Sequence, residues 1–248
     1  LTEIGYAGSM PPGAIIPAAF LEMHIEQGPI LEKEMLDLGI VEMVQGIFWT
    51  EYRFEGQANH AGTTPMGMRK DAGLAAASMV AAVRELVLQT GGHQVGTVGQ
   101  LELFPNLVNV VAQKARLIVD LRNTDGEKLE KVQRQLDQIA QQIASRENLK
   151  VTQRALVRFP PVQFGPIILE ALENSAEANK YRYLRMPSGA GHDAQMMTAI
   201  CPTAMLFVPS KNGISHNPME FTSWEAIEKG TNTLLQTVLQ LDELLLKD

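Results

Sequence analysis

The sequence predicts an α/β protein in which a sheet-forming domain is interrupted by a smaller inserted sandwich of strands and helices. Three observations carry that expectation. Hydrophobic periodicity between residues 47 and 160 runs strand, helix, strand, strand, helix, strand, which is the split βαβ, ferredoxin-like order. After the Phe159-Pro160-Pro161 break the pattern returns to alternating helices and strands, as in an α/β sheet domain. Four of the five histidines also sit in short islands of Gly, Pro and Asn, residues that bring backbone and ligands close at element ends. Residues 1–46 and 161–248 are therefore read as one domain and 47–160 as the insert.

The chain opens in Gly/Pro-punctuated connecting sequence (Gly5, Gly8, Pro11, Pro12, Gly13, Pro17). An apolar run over 19–25 reads as a strand that brings His24 and Glu26 to its end, and Gly28-Pro29 starts a short helical pattern over 30–38. In the insert, 48–55 mixes aromatic and charged residues as a half-exposed strand. Residues 71–89 form an Ala-rich helix with apolar positions at three- and four-residue spacing and a Thr-Gly-Gly stop. Segments 95–103 and 115–121 alternate as strands, Gly126–Arg146 is an amphipathic helix, and 149–157 is the last strand of the insert. Beyond it come a helix over 167–179, a strand over 181–186, a Gly-rich turn holding His192, a strand over Thr203–Val208, a second Gly-rich turn holding His216, and a long helix over 224–247.

A chain of 248 residues with 45% hydrophobic and 20% charged residues buries a sizeable core. Its formal net charge of -7, without any Lys/Arg run, argues against nucleic acid and an anionic membrane surface as partners. The longest apolar stretches, such as Thr203–Val208, fall far short of the ~20 residues that span a bilayer, and no signal peptide is visible. Cys201 is the only cysteine, which excludes a disulfide framework and a thiolate metal cluster. A cytoplasmic enzyme is the expectation. Because it starts at Leu1, inside connecting sequence, the chain also reads as the later part of something longer.

Imidazole is a common metal ligand and proton shuttle, so the islands read as pieces of a polar site. His24 and His216 each follow an apolar strand and could ligate one metal site; each alone fits a hydrogen-bonded structural histidine equally well. Glu22 and Glu26 are possible carboxylate partners, and Glu26 is the better because it shares a strand face with His24. His192 follows Ser188-Gly189-Ala190-Gly191, a loop able to wrap a substrate with backbone N–H groups, or simply a tight turn capped by Asp193. His60 stands in the insert, in a helix-entry loop where it could stabilise an oxyanion. Asn106, Asn109 and Arg122 add donors suited to a carboxylate or ureide, although Arg122 taken alone reads first as a surface salt-bridge partner.

Taken together, five ordered motifs resemble the hydantoinase/carbamoylase branch of the M20 amidohydrolases, which includes N-carbamoyl-L-amino acid hydrolase, β-ureidopropionase and allantoate amidohydrolase. They are His-Ile-Glu-Gln-Gly-Pro, Asn-His-Ala-Gly-Thr-Thr-Pro-Met, Asn-Val-Val followed by Asp-Leu-Arg, Ser-Gly-Ala-Gly-His-Asp-Ala, and Gly-Ile-Ser-His-Asn-Pro. The resemblance implies a metallohydrolase α/β catalytic domain, partial here, carrying an inserted ferredoxin-like βαββαβ lid that also makes a homodimer. It implies that His24 and His216 ligate two divalent metal ions (Zn, Mn, Co or Ni) and that His60 polarises the scissile carbonyl, across the dimer. Asn106, Asn109 and Arg122 would hold the substrate, with Gln45, Gly191 and His192 lining the pocket. The implied reaction is hydrolysis of a linear-amide C–N bond in a small ureide or N-carbamoyl amino acid, releasing ammonia.

The sequence departs from the family in one respect. The early His-x-Asp pair, the bridging aspartate and the Glu-Glu pair have no counterpart in it, so the resemblance covers the last three-fifths of a member. Two histidines leave each metal with one protein ligand where hydrolytic zinc uses about three, and the expectation is that the chain by itself is inactive and binds metal poorly. Asn106-x-x-Asn109 is nearer to allantoate amidohydrolases, whereas Gly-Thr-Val-Gly-Gln-Leu (96–101) is nearer to carbamoyl-amino-acid hydrolases. Two other readings stay open: a non-catalytic dimerisation or binding module derived from the same family, and an M20 metallopeptidase or aminoacylase. Whatever sequence precedes Leu1 separates the first of these from the enzyme.

Overall fold

The computed structural model describes residues 1–11 and 13–245. In chain order the elements are β1 (Phe20–Ile25), α1 (Ile30–Lys33), β2 (Leu38–Val44), β3 (Gly46–Glu55), α2 (Ala72–Thr90), β4 (Val95–Phe104), β5 (Lys114–Asn123), α3 (Gly126–Arg146), β6 (Lys150–Phe159), β7 (Val162–Gln163), α4 (Pro166–Ala178), β8 (Tyr183–Ser188), α5 (Asp193–Met197), β9 (Thr203–Val208) and α6 (Trp224–Leu245). They gather into two compact units, one formed by Leu1–Val44 with Val162–Asp248 and the other by Gln45–Pro161.

In the first unit β1 runs parallel to β9, β9 antiparallel to β2, and β2 parallel to β8, while β7 adds an antiparallel pair at the end of β2. Every residue of β9 is buried. Leu38, Ile40, Val41, Leu206 and Phe207 from the sheet join Ile168 and Leu172 of α4 and Ala226 and Leu241 of α6 in one core. The sequence reading missed β2 and ran a helix to residue 38, whereas α1 stops at Lys33. A strand buried this deeply is a run of apolar residues without alternation, so its period-2 signature is absent. The expected continuation of the last helix to Lys247 lies outside the described residues.

The second unit is a four-stranded antiparallel sheet in the order β4-β5-β3-β6. Counted within the unit, that is second, third, first, fourth, the ferredoxin-like arrangement. Asp71 caps α2 by accepting from the N–H groups of Gly73 and Leu74, and Asp125 caps α3 through Lys128. Both helices pack on Tyr52, Phe54, Leu117 and Leu121. A polar network sits inside that layer: the Tyr52 hydroxyl donates to Asp137 (2.6 Å), and Gln133 donates to both (2.9 and 2.8 Å) while accepting from Thr50 (2.8 Å). Elsewhere on β3, Glu51 is 2% exposed and ion-paired with Arg53, Arg116 and Arg154.

Helix α2 is long and apolar enough, by length and composition, to cross a membrane. The uninterrupted runs on which the exclusion of a membrane span rested are short, but Ala and Gly extend this helix with only Arg84 and Glu85 as charges. In the structure Ala72, Ala75, Ala76, Met79, Val83 and Leu86 are buried in the core of the second unit.

Candidate functional site

In the first unit the turn after β1 and the turn after β9 are fastened together. The Gln27 N–H donates to Ser210 Oγ (3.0 Å), the Gln27 side-chain amide to Ser215 Oγ (2.9 Å), and the Asn212 N–H to the Glu32 carboxylate (2.6 Å). Gly213 makes the approach possible. Its φ is +64°, and a Cβ there would lie 2.7 Å from the Pro29 nitrogen and 2.8 Å from the Gly28 carbonyl carbon.

This fastening brings His24 and His216 to one open cleft of about 590 Å³, which Gln27 and Glu220 also line. The His24 Nδ1 lies 2.8 Å from the Ile25 carbonyl oxygen. A carbonyl only accepts, so Nδ1 carries the proton and Nε2 keeps its lone pair for a ligand, the arrangement common in metal-binding histidines. His216 has a left-handed backbone (φ 55°), and its N–H donates to Glu220 (3.0 Å). Among the described residues no group of three or more His, Cys, Asp or Glu side chains could hold a metal ion. Two histidines alone do not fit a hydrolytic metal site, which needs about three protein donors.

Glu26, preferred in the sequence as the carboxylate partner of His24, is used otherwise. It lies just beyond the strand, and the Gly28-Pro29 turn brings α1 back over it. Its two oxygens accept the N–H groups of Ile30 and Leu31 at 2.8 Å each. The carboxylate beside His192 is Glu22. One of its oxygens lies 3.5 Å from His192 Nδ1, and the other accepts the Ala194 N–H (2.8 Å). Glu22 thus caps α5 from another strand, while Asp193, expected to cap that turn, is itself the first helical residue.

The His192 side chain is 2% exposed. Its ring packs edge-on to His24 with centroids 4.7 Å apart, and Nε2 sits 2.8 Å from Ser188 Oγ. Burial first, and then the neighbouring His24, push its imidazole down to about 4, against a smaller opposing pull from Asp193. His192 is therefore neutral at pH 7 and lies beneath His24, while Gly191 beside it is exposed. Ser188 and Glu220 were missed in the sequence, although Ser188 opens the same Gly-rich island and Glu220 follows His216 by four residues.

The second unit assembles the other island. His60 is exposed, and its loop is zipped to the segment carrying Asn109: Ala61 N–H donates to the Asn109 carbonyl and Val111 N–H to that of Asn59, both at 2.9 Å. The His60 Nδ1 accepts from the N–H groups of Gly62 (3.1 Å) and Thr63 (3.2 Å). A nitrogen facing two donors holds the lone pair, so the proton is on Nε2, which is left as a donor. His60 thus takes its support from its own turn, whereas Asp71 occupies the entry of α2.

Asn106 and Asn109 are both exposed, Asn106 with a left-handed backbone (φ 55°). Arg122 places its guanidinium fork on the Asp120 carboxylate, two residues back on β5 (3.0 and 2.7 Å). Gln45 is 8% exposed, and its Oε1 is a buried side-chain oxygen without a hydrogen-bond partner among the described residues, the kind of orphan acceptor that calls for an explanation.

With this geometry in place, comparison with known proteins gives a consistent family. Residues 7–240 match the model of peptidase family M20/M25/M40. The chain is similar to the N-carbamoyl-L-amino acid amidohydrolase of Geobacillus stearothermophilus, 36% identical over 93% of this chain and 56% of that protein. It is 37% identical to the allantoate amidohydrolase of Escherichia coli over 90% of this chain and 54% of that protein. A solved amidase of the hydantoinase/carbamoylase family from Burkholderia vietnamiensis superposes with a TM-score of 0.91 at 38% identity, over 96% of this chain and 58% of that one. The chain spans about half the length of the curated relatives it matches.

Proposed function

The chain belongs to peptidase family M20/M25/M40, and from that premise we propose that it is part of an amidohydrolase that cleaves the linear-amide C–N bond of a small N-carbamoyl amino acid or ureide, releasing ammonia. One observation carries the reading: two backbone N–H groups on Nδ1 hold the exposed His60 ring as an Nε2–H donor. A donor fixed in advance stabilises the negative charge that gathers on a carbonyl oxygen under attack, at no reorganisation cost during the reaction. Asn106 and Asn109, on the segment zipped to His60, supply amide donors to the substrate, Arg122 balances its carboxylate, and the orphan Oε1 of Gln45 accepts from a substrate N–H. The exposed Leu101, Leu103 and Phe104 on the edge strand β4 support pairing of two copies through this unit.

In the working enzyme two divalent ions (Zn, Mn, Co or Ni) would supply Lewis acidity and an activated water. This chain's share would be Nε2 of His24 and the imidazole of His216. Because those two donors do not complete a site, the chain alone is expected to hold less than two metal equivalents and to turn over no substrate.

The test is ammonia release from allantoate and from N-carbamoyl-L-amino acids by the enzyme that contains this chain, with dipeptides and N-acyl amino acids alongside. His60→Ala is expected to lower kcat by about 10²–10³-fold, the usual loss for one oxyanion donor. Turnover confined to dipeptides or N-acyl amino acids would replace this reading with a peptidase or aminoacylase, and unchanged kcat in His60→Ala would remove His60 from the reaction.

A further inference from the structure

Ser188, His192 and Glu22 stand in the spatial order of a serine-histidine-carboxylate triad, with Ser188 Oγ 2.8 Å from His192 Nε2 and a Glu22 oxygen 3.5 Å from Nδ1. A nucleophile must meet its substrate, however, and Ser188 is fully buried at 0% exposed. The arrangement therefore does something other than attack. We propose that Glu22 is a positioning residue: it fixes the ring of His192 and, through that ring, the orientation of His24 at the cleft. This inference rests on the reading of His24 as a working residue of the cleft.

Glu22 is suited to the task by where it is anchored. It lies on β1 two residues before His24, so both side chains leave the same face of the strand. Its side chain is 18% exposed, and one oxygen is held by the Ala194 N–H at the start of α5. That bond turns the second oxygen toward His192 Nδ1, 3.5 Å away. A lone pair on Nδ1 would face a negative oxygen, whereas a proton there is attracted to it. The Ser188 hydroxyl has one proton and two acceptors in reach, His192 Nε2 at 2.8 Å and the Ala190 carbonyl at 3.0 Å; by drawing the imidazole proton to Nδ1, the Glu22 oxygen leaves Nε2 as the acceptor that takes it.

A flip of the His192 ring would break the 2.8 Å contact of Nε2 with Ser188 and carry Nδ1 away from the Glu22 oxygen. The ring is wedged between His24, centroids 4.7 Å apart at 68°, and Phe207, centroids 5.6 Å apart. Among the described residues the His24 ring is hydrogen-bonded only at Nδ1, to the Ile25 carbonyl. That single bond allows the ring to swing about it, and the edge of His192 supplies the second support.

The test is imidazole ¹⁵N NMR at pH 7 on this chain as it stands, comparing wild type, Glu22→Leu and Glu22→Gln, with circular dichroism and thermal melting as the check on folding. The wild type is expected to show His192 as the Nδ1–H tautomer. Glu22→Leu should mix the His192 tautomers and shift the His24 resonances, while Glu22→Gln, which keeps an acceptor oxygen, should restore the wild-type pattern. In the enzyme that contains the chain, Glu22→Leu should lower kcat by about 10- to 100-fold at nearly constant KM, with Glu22→Gln recovering most of it. Unchanged His192 and His24 spectra in folded Glu22→Leu overturn the proposal, as does an equal spectral change in both variants. Activity that survives His24→Ala would instead defeat the reading of the cleft on which the proposal depends, so the two failures are told apart.

Discussion

Replacing Gly213 by alanine tests whether the two histidine turns of the first unit are held together by a close backbone approach. Two costs add. The residue sits at φ +64°, where a side chain costs roughly 1–2 kcal/mol. The new methyl would also lie 2.7 Å from the Pro29 nitrogen and 2.8 Å from the Gly28 carbonyl carbon, inside any normal contact distance. Both neighbours are backbone, so the turns must part, at an overpacking cost of roughly 1–3 kcal/mol. Gly213→Ala should therefore destabilise the unit by about 2–5 kcal/mol.

With a urea dependence of roughly 2 kcal/mol per molar, that loss moves the midpoint down by about 1–2.5 M. Gly92→Ala in the second unit is the control, since Gly92 shares a positive φ (+61°) but a methyl added there would have nothing within 4 Å; it should cost only the backbone strain. Hydrogen exchange supplies a local readout, because the Gln27 and Asn212 N–H groups, which donate to Ser210 and Glu32, should lose protection first. If Gly213→Ala costs no more than Gly92→Ala, or if those two amides stay protected, the close approach does not hold the cleft together and the reasoning fails.

The acid limb of stability should depend on two carboxylates. Burial pushes Glu51 up, but hydrogen bonds from Arg116 and Arg53 and the charge of Arg154 outweigh it and hold the carboxyl below the usual range; Lys229 and Arg182 do the same for Asp37 against its own burial. A depressed folded value stabilises above the unfolded value and loses that contribution as pH falls through the folded one. Melting temperatures measured from pH 6 to pH 3 should therefore fall below the ordinary carboxylate range, with Glu51→Gln flattening the limb of the second unit and Asp37→Asn that of the first. At the alkaline end, hydrogen bonds to Glu225 and Asp37 push Lys229 up to about 12, so its contribution is complete below about pH 10.5 and lost toward pH 12, and Lys229→Met should remove that limb. Tyr52→Phe takes the shared hydroxyl from Gln133 and Asp137 and should cost the second unit roughly 1–3 kcal/mol in urea titration, the penalty for buried polar groups left unpaired.

Much of this protein is written locally. The inserted βαββαβ unit was legible because each strand and helix carries its own period and its own stops: the alternation in β5, the amphipathic spacing of α3, and the Thr-Gly-Gly after α2. The histidine islands were legible for a similar reason, since turn residues beside an imidazole are a short-range signal. The strand β2 was not, because burial on both sides removes the alternation that marks a strand. Nor was the membrane-length character of α2, which depends on counting small residues across a whole helix rather than looking for an unbroken apolar run.

What the sequence by itself determined is the inventory: the order of elements, the family-like motifs, and the residues able to bear a charge or a proton. Only the tertiary structure decided how that inventory is used, because the deciding contacts join residues distant in the chain. Glu26 and Glu22 flank His24 at equal spacing, yet the chain folds α1 onto the first and brings α5, 172 residues away, onto the second. The His60 tautomer likewise follows from a turn that aims two N–H groups at one nitrogen, a matter of direction that no spacing along the sequence records. Side-chain chemistry is fixed by residue type, but which atom of a carboxylate or imidazole remains available is set by the partners that folding brings to it.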